Sequence, residues 1–334
     1  MPMLLPLRRV AALPGTSPGR SGPASPGPSG PAPAGGKPAG SPQPPDAMVV
    51  MRRRLGGMLR PLDAWAPTQA QRATLAPGVT LDRTRRTANG AVVTVVAIAA
   101  GAARLEASFD NGVRTLSPDQ VRRVPGLLAA VNAAFFGFGA TNGTYGDLAG
   151  LGRTYRDETL GSAYDGISDR RWHLAVGTDG QPRFRRGGLS ELEAQQPAPP
   201  GFVGGLGRLY GEAEVATLSR DVANGAFLRR LRAGVSDRSF PNVDLTSPVA
   251  RTLVGRKPDG SLLLVTAGQG SERGRGAGFA EAALLMRSLG AVEAYTLDGG
   301  GSTHVIAPGA VETRSDGRAV KSYWVVREPA RQPG

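Results

Sequence analysis

An α+β fold, with a mixed, largely antiparallel sheet and packed helices in a single domain over roughly residues 70–330, is what this sequence predicts. Three observations carry that expectation. Runs rich in β-branched residues are separated by short turn signals, namely Asp110-Asn111-Gly112, Thr178-Asp179-Gly180 and Pro258-Asp259-Gly260. One strand–helix–strand unit stands near the C-terminus, between Leu262 and Leu297. Before about residue 65 the composition is different in kind, dominated by Pro, Gly, Ser and Ala.

Residues 1–60 carry 13 of the 28 prolines, and from Leu13 to Pro45 the chain lacks the apolar surface needed to offset the entropy of ordering, so residues 1–65 are expected to be a disordered tail. Residues 1–60 hold eight basic residues against Asp46 alone, which places about half of the net charge of +13 there. The surplus reads as a solvated basic tail, and nucleic acid is not the expected partner. The apolar run Leu4–Leu7 is broken by Pro6 and followed by Arg8 and Arg9, which is too short for a signal peptide, so no convincing export signal is read. No run approaches the ~18 apolar residues that a spanning helix needs.

Within the domain, Ala91–Ala99 is a strong strand, and Arg104–Phe109 alternates apolar and polar, so the two are expected to pair as a hairpin. Ser117 is a plausible N-cap for a short helix reaching Leu128. Leu128–Phe136 reads as a buried strand leading into a Gly-rich loop, Gly137–Gly152. Trp172–Val176 and Arg183–Phe184 flank a turn. Residues 187–245 read as loop-rich and are hard to place. Then follow strands Thr252–Val254 and Leu262–Ala267, a helix Phe279–Leu289, and strands Val292–Leu297, His304–Ile306 and Ser322–Val326.

Composition also limits the chemistry. The absence of cysteine removes disulfides, thiolate metal sites and thiol catalysis, and with His173 and His304 as the only histidines a His-rich metal centre is excluded, so no metal or cofactor is expected. The glycines between Gly268 and Gly278 sit between a strand and a helix but fit neither G-x-G-x-x-G nor a P-loop, and no Lys follows to reach a phosphate. Two features point to a site. Glu281 lies in line with the apolar stripe Leu284, Leu285 and Leu289, which is either an inward-facing carboxylate or a first-turn capping residue. Leu297-Asp298-Gly299-Gly300-Gly301-Ser302 ends a buried strand in a carboxylate and follows it with glycines, so a ligand can approach Asp298 and the backbone N–H groups without Cβ obstruction.

Taken together, Asp298–Ser302, Arg251-Thr252-x-x-Gly255, Asp259-Gly260, the Glu281 helix, Leu289-Gly290-Ala291, Asn132-x-x-Phe135-Phe136 and Arg318-x-Val320 resemble the ordered motifs of the phosphodiester glycosidase family. The resemblance implies a single catalytic domain that hydrolyses the glycosidic bond of a sugar-1-phosphodiester and leaves a phosphomonoester, on a glycan or cell-envelope or exopolysaccharide substrate, in a bacterial secreted or envelope setting. It implies that Asn132, Arg251, Glu281, Asp298, Gly299, Gly300, Gly301 and Ser302 line one cleft. In that cleft Asp298 and Glu281 would be the catalytic carboxylates, and Arg251 with the glycine turn would receive the phosphate. Asn132 and His304 would serve substrate hydroxyls, His304 standing where the family usually has a small hydroxyl residue. The competing expectation is a non-catalytic glycan- or polyanion-binding protein of the same fold, which steep weakening by salt and dependence on residues 1–60 would reveal.

Overall fold

The structure, a computed structural model, describes residues 72–85, 91–137, 143–157, 172–194, 199–234, 245–268, 276–308, 310–313, 316 and 318–329. The expected tail lies outside them, as does the middle of the Gly268–Gly278 loop. In chain order the strands β1 (Arg72–Ala76), β2 (Val79–Arg85), β3 (Val92–Ile98) and β4 (Arg104–Phe109) precede helix α1 (Pro118–Val121). Next come β5 (Leu127–Asn132), β6 (Leu148–Gly150), β7 (Arg153–Tyr155), β8 (Trp172–Val176), β9 (Pro182–Arg186), α2 (Leu189–Glu193) and β10 (Gly201–Tyr210). Helices α3 (Leu218–Ala223) and α4 (Ala226–Gly234) lead to β11 (Arg251–Arg256), β12 (Leu262–Ala267) and α5 (Phe279–Ser288). The chain closes with β13 (Glu293–Thr296), β14 (Val305–Ala307), β15 (Ala310–Thr313) and β16 (Ser322–Arg327).

These strands form an 11-stranded sheet, ordered β1-β2-β3-β12-β11-β13-β10-β6-β7 with β8 and β9 branching from β10, and a 5-stranded sheet ordered β15-β14-β5-β16-β4. The strand–helix–strand unit does run β12 and β13 in the same direction. Because β11 lies between them and is antiparallel to both, every ladder among the described residues is nevertheless antiparallel.

The side-chain period of two sorts each strand between layers. Along β12, Leu263 and Val265 join the helices Phe279–Ser288 and Ala226–Gly234 in one core, while Leu262 and Leu264 join a second core beneath the smaller sheet. Along β16, Trp324 and Val326 enter that second core, and Tyr323 and Val325 pack on the outer side with Val121 and Ile306. The protein is therefore layered: helices, large sheet, small sheet, and a thin outer cluster. Strands with both faces covered read as continuous apolar runs, as in Leu262–Ala267, where all six residues are buried.

Three expectations change. β3 and β4 do not form a hairpin: β3 pairs with β2 and β12, and β4 pairs with β16 in the other sheet. The chain turns at Gly101 (φ 74°) to cross between layers rather than to fold back in one. The helix after Ser117 is a single turn, Pro118–Val121, although Ser117 caps it as expected, its Oγ accepting from Gln120 N and the Gln120 side chain accepting from Ser117 N. The stretch 187–245 contains the ten-residue β10, the pivot of the large sheet. Its first half pairs with β6 and β8, its second with β13, and the register breaks at Gly204-Gly205. At Gly205 (φ +75°) a Cβ would sit 1.7 Å from the Tyr145 carbonyl oxygen, so only glycine fits this crossing.

Candidate active site

The site is built where hydrogen bonds join the two sheets. β13 leaves the large sheet as Leu297 N donates to Thr252 O (2.9 Å), and one residue later Asp298 N donates to Ala133 O (3.0 Å), just past the end of β5 in the small sheet. Asn132 ties this junction together. Its Nδ2 donates to Asp298 O (2.7 Å), and its Oδ1 accepts from Thr252 Oγ1 (2.6 Å) and from His304 N (3.0 Å). An amide is the side chain for this place, because it donates to a carbonyl and accepts from an N–H at once. Asn132 is wholly buried, so it orients the site and is not exposed to serve a substrate hydroxyl directly.

Asp298 itself is half-buried. Its Oδ1 accepts from Gly299 N (2.9 Å), and the Ser302 hydroxyl bonds the same carboxyl group. Burial pushes its pKa from 3.8 to about 6, against the Ser302 and Gly299 hydrogen bonds and the positive charges of Arg318 and Arg251, which pull it down. A carboxyl titrating there carries a substantial neutral fraction in mildly acid water, a property found at catalytic groups more often than at structural ones.

The glycines have separate tasks. A Cβ at Gly299 would lie 2.8 Å from Ala250 O, one at Gly301 would lie 2.4 Å from Asp316 Oδ2, and Gly300 has φ +61° with open space where a Cβ would point. The turn is thus pressed between Ala250 and Asp316. Several of its N–H groups serve the turn itself: Gly299 N bonds Asp298, Gly300 N donates to Ala250 O (2.7 Å) and Ser302 N to Gly299 O (3.2 Å). The sequence reading had those N–H groups open to an anion, and the fold uses these three internally.

Arg251 is buried beside this turn. Its Nε donates to Ala277 O (3.0 Å), its Nη2 to Ser247 O (3.0 Å), and its guanidinium lies 4.2 Å from the centre of the Phe279 ring. Glu281 holds the next residue of the same segment, its Oε2 accepting from Gly278 N (2.8 Å). Gly278 has no side chain to return the bond, so Glu281 supplies half of a capping box at the start of α5. The two charged side chains converge on Ala277-Gly278. Of the two roles open to Glu281, the first-turn capping role is the one its geometry displays.

His304 is buried, its Nδ1 held 3.0 Å from Ser302 O; a carbonyl only accepts, so Nδ1 carries the proton. Burial lowers its pKa, which favours the neutral ring. The hydrogen-bond network thus links Asn132, Asp298, the glycine turn, Ser302 and His304 directly, with Arg251 and Glu281 reaching it through Ala250 and Ala277-Gly278. Asp316 and Ser322 were missed. Ser322 accepts from Ala134 N (3.1 Å) and its carbonyl from Ala133 N (3.0 Å), locking the segment after β5. Asp316 stands before Gly317 in an ordinary turn signal, and nothing in the sequence ties it to Gly301. Among the described residues, no three His, Asp or Glu side chains gather as a metal-binding group.

A two-sheet α+β architecture with a helix layer, closing a strand-terminal aspartate and a triglycine turn against a buried arginine, defines the class, and the family model for phosphodiester glycosidases matches residues 126–327. The chain belongs to the phosphodiester glycosidase family. Among solved structures it is similar to the catalytic domain of zebrafish N-acetylglucosamine-1-phosphodiester alpha-N-acetylglucosaminidase, described as auto-inhibited by its pro-peptide, with 16% identity, 83% of this chain and 93% of that one covered, and a TM-score of 0.52. A hypothetical protein from Synechocystis matches at 16% identity over 76% of this chain and 62% of its own, with a TM-score of 0.49. No curated relative matches.

Proposed function

We propose that the protein is a hydrolase that cleaves the glycosidic bond of a sugar-1-phosphodiester, releasing free sugar and leaving a phosphomonoester, on a glycan or envelope polysaccharide outside the cytoplasm. The observation that carries this reading is Asp298, a half-buried carboxylate at a strand end with a pKa pushed up to about 6, fixed by Gly299 N and Ser302 and fastened to both sheets through Asn132.

The chemistry suits one dominant carboxylate. Breaking the C1–O bond leaves positive charge on the anomeric carbon and ring oxygen, and an ionised Asp298 stabilises that charge or attacks C1 itself. The departing group is a phosphomonoester dianion, whose conjugate acid has a pKa of about 6, so it leaves with little protonation. Water adds its oxygen to C1, one proton stays on the sugar hydroxyl and the other goes to solvent or phosphate. Asn132 and Ser302 hold Asp298 in place, and neutral His304 keeps Ser302 O and the end of the turn in register. Arg251 and Glu281 shape the wall by anchoring the start of α5, Glu281 through its cap rather than as a second reacting carboxylate.

Incubating the purified chain with sugar-1-phosphodiesters in ¹⁸O-labelled water tests the reading. The expected products are free sugar labelled at C1 and an unlabelled phosphomonoester. Label in the phosphate would mean P–O cleavage, and binding without turnover, weakening steeply with salt, would mean a glycan- or polyanion-binding protein instead.

A further inference from the structure

The pair Phe135-Phe136 follows Asn132 by three residues, and its two rings stand in different surroundings. Phe136 is structural. It packs against the outer cluster of Val121, Ile306 and Tyr323, and the Lys321 ammonium lies 5.5 Å from the centre of its ring. It also pairs with Thr144 in an isolated antiparallel bridge. Gly137 N donates to Gly143 O (3.1 Å) and Tyr145 N to Phe135 O (2.6 Å), so residues 135–137 and 143–145 form a short two-stranded ribbon.

Side chains alternate across such a ribbon, and residues directly opposite share a face. One face presents Phe136 with the wholly buried Thr144; the other presents Phe135 with Tyr145, both half-buried. Phe135 thus turns away from the outer cluster. Ala133 and Ala134 are the last residues of this segment in the core between the sheets, and among the described residues Phe135 joins no hydrophobic cluster and stacks on no other ring. Its backbone is nevertheless fixed at the site. Ala133 O, two residues before it, accepts from Asp298 N (3.0 Å), and two residues of chain span at most about 7 Å. Across the ribbon Tyr145 O lies against Gly205, which stands two residues before Gly207, the partner of Thr296, itself two residues before Asp298. Packing accounts for Phe136 and leaves Phe135, a partly exposed apolar ring held beside a half-buried carboxylate.

We propose that Phe135 is a specificity-determining residue of the cleft, a platform for the sugar ring whose anomeric carbon is presented to Asp298. This rests on the function proposed above. A pyranose carries its hydroxyls around the rim and C–H groups on its faces, so an aromatic ring can take one face out of water without stranding a hydroxyl. The ring has no charge and no hydrogen-bonding atom, which suits it to the sugar and not to the phosphate. Stacking fixes the plane of the sugar, and with it the direction in which C1 meets the carboxylate. The two phenylalanines are then divided by task, Phe136 holding the ribbon to the small sheet and Phe135 meeting the ligand. No covalent bond is made or broken in the step.

Two measurements on the full chain decide it. In the first, glucose 1-phosphate, galactose 1-phosphate and N-acetylglucosamine 1-phosphate are titrated into wild type, Phe135→Tyr, Phe135→Leu and Phe135→Ala, followed by ¹H NMR of the ligand. An aromatic ring moves protons held over its face upfield. At least one of the three is expected to show upfield-shifted ring protons with wild type and Phe135→Tyr, and to lose most of that shift with Phe135→Leu, which keeps apolar bulk without a π-system. Phe135→Ala is expected to weaken binding about 10-fold. Thermal midpoints of the Tyr and Leu variants are expected within about 2 °C of wild type, since the ring lies outside the core. In the second, hydrolysis of a phosphodiester of the sugar that bound is followed, and Phe135→Ala is expected to lower kcat/KM about 10-fold, chiefly through KM. Failure of wild type to bind any of the three, equal shifts and affinities in wild type and Phe135→Leu, or a midpoint several degrees lower in Phe135→Leu, which would mean that the ring is packed inside the protein, would overturn the proposal. Ring-dependent binding without hydrolysis of the phosphodiester would leave Phe135 in its role and refute the hydrolase reading instead. Hydrolysis by Phe135→Ala with the kcat/KM of wild type would do the reverse.

Discussion

Asp298 holds its charge at a cost to the fold, and that cost is measurable. Its pKa is higher in the folded protein, about 6, than the ordinary 3.8, so the folded state binds the proton more tightly. Stability from this group is therefore greatest at low pH, declines as pH rises from about 4 to 6, and stays low above that. On the proposed mechanism activity needs the ionised form, so it should have the opposite slope, falling as pH drops through about 6. Asp298→Asn keeps an acceptor for Gly299 N and removes the buried charge. It should lower kcat by at least about 100-fold with little change in KM, while the thermal midpoint at pH 8 matches or exceeds that of wild type. Full turnover, or a midpoint several degrees lower, would make Asp298 a structural turn residue. Glu281 gives a contrasting pair. Gln can accept from Gly278 N and Ala cannot, so Glu281→Gln should retain activity within a few-fold, whereas Glu281→Ala should lose about 1 kcal/mol, or about 2–4 °C. A 100-fold loss in the Gln variant would restore Glu281 as a reacting carboxylate. Sequence spacing could show that Glu281 faces inward; it could not show that a glycine N–H lies there to meet it.

At the scale of elements, most strands were legible because period-two alternation and apolar runs are local signals. Leu262–Ala267 matches its expected limits, and the Trp172–Val176 pairing around Thr178-Asp179-Gly180 formed as read. Partners were not legible. β3 finds β12 and β4 finds β16 far along the chain, since what selects a partner is the layer each face must cover, and periodicity carries no record of that. β10 was lost for another reason: Gly201, Gly204, Gly205 and Gly207 resemble a loop, yet they mark where one strand changes neighbours and where other backbone comes close. Two glycine substitutions test this account. Gly205→Ala combines φ +75° with a Cβ 1.7 Å from Tyr145 O, while Gly300→Ala has φ +61° and open space. Chemical denaturation should show a loss of about 1–2 kcal/mol for Gly300→Ala and a distinctly larger one, or failure to fold, for Gly205→Ala. Equal losses would mean that the β10 crossing relaxes easily.

Across the whole molecule, the candidate site was legible as a set of motifs and illegible as a geometry. Asn132 lies 166 residues from Asp298 and 172 from His304, and no local pattern announces that one amide will join them. Only the ordered resemblance grouped these residues; the hydrogen bonds show which groups each side chain holds, Gly278 N for Glu281 and the Ala277 and Ser247 carbonyls for Arg251. That same amide has a kinetic corollary. Because Asn132 spans the sheets at the point where Asp298 N reaches Ala133 O and His304 N reaches Asn132 Oδ1, the site has no private way to loosen. In deuterated water the backbone protons of Asp298 and His304 should be replaced at the rate of whole-molecule unfolding, alongside those of β12 and β16 and far more slowly than those of β1 at the sheet edge. Rapid replacement at Asp298 would mean that the glycine turn opens independently of the rest. Slow replacement would mean that any substitution weakening the domain as a whole lowers activity only by depleting the folded population, with the surviving molecules working at full speed.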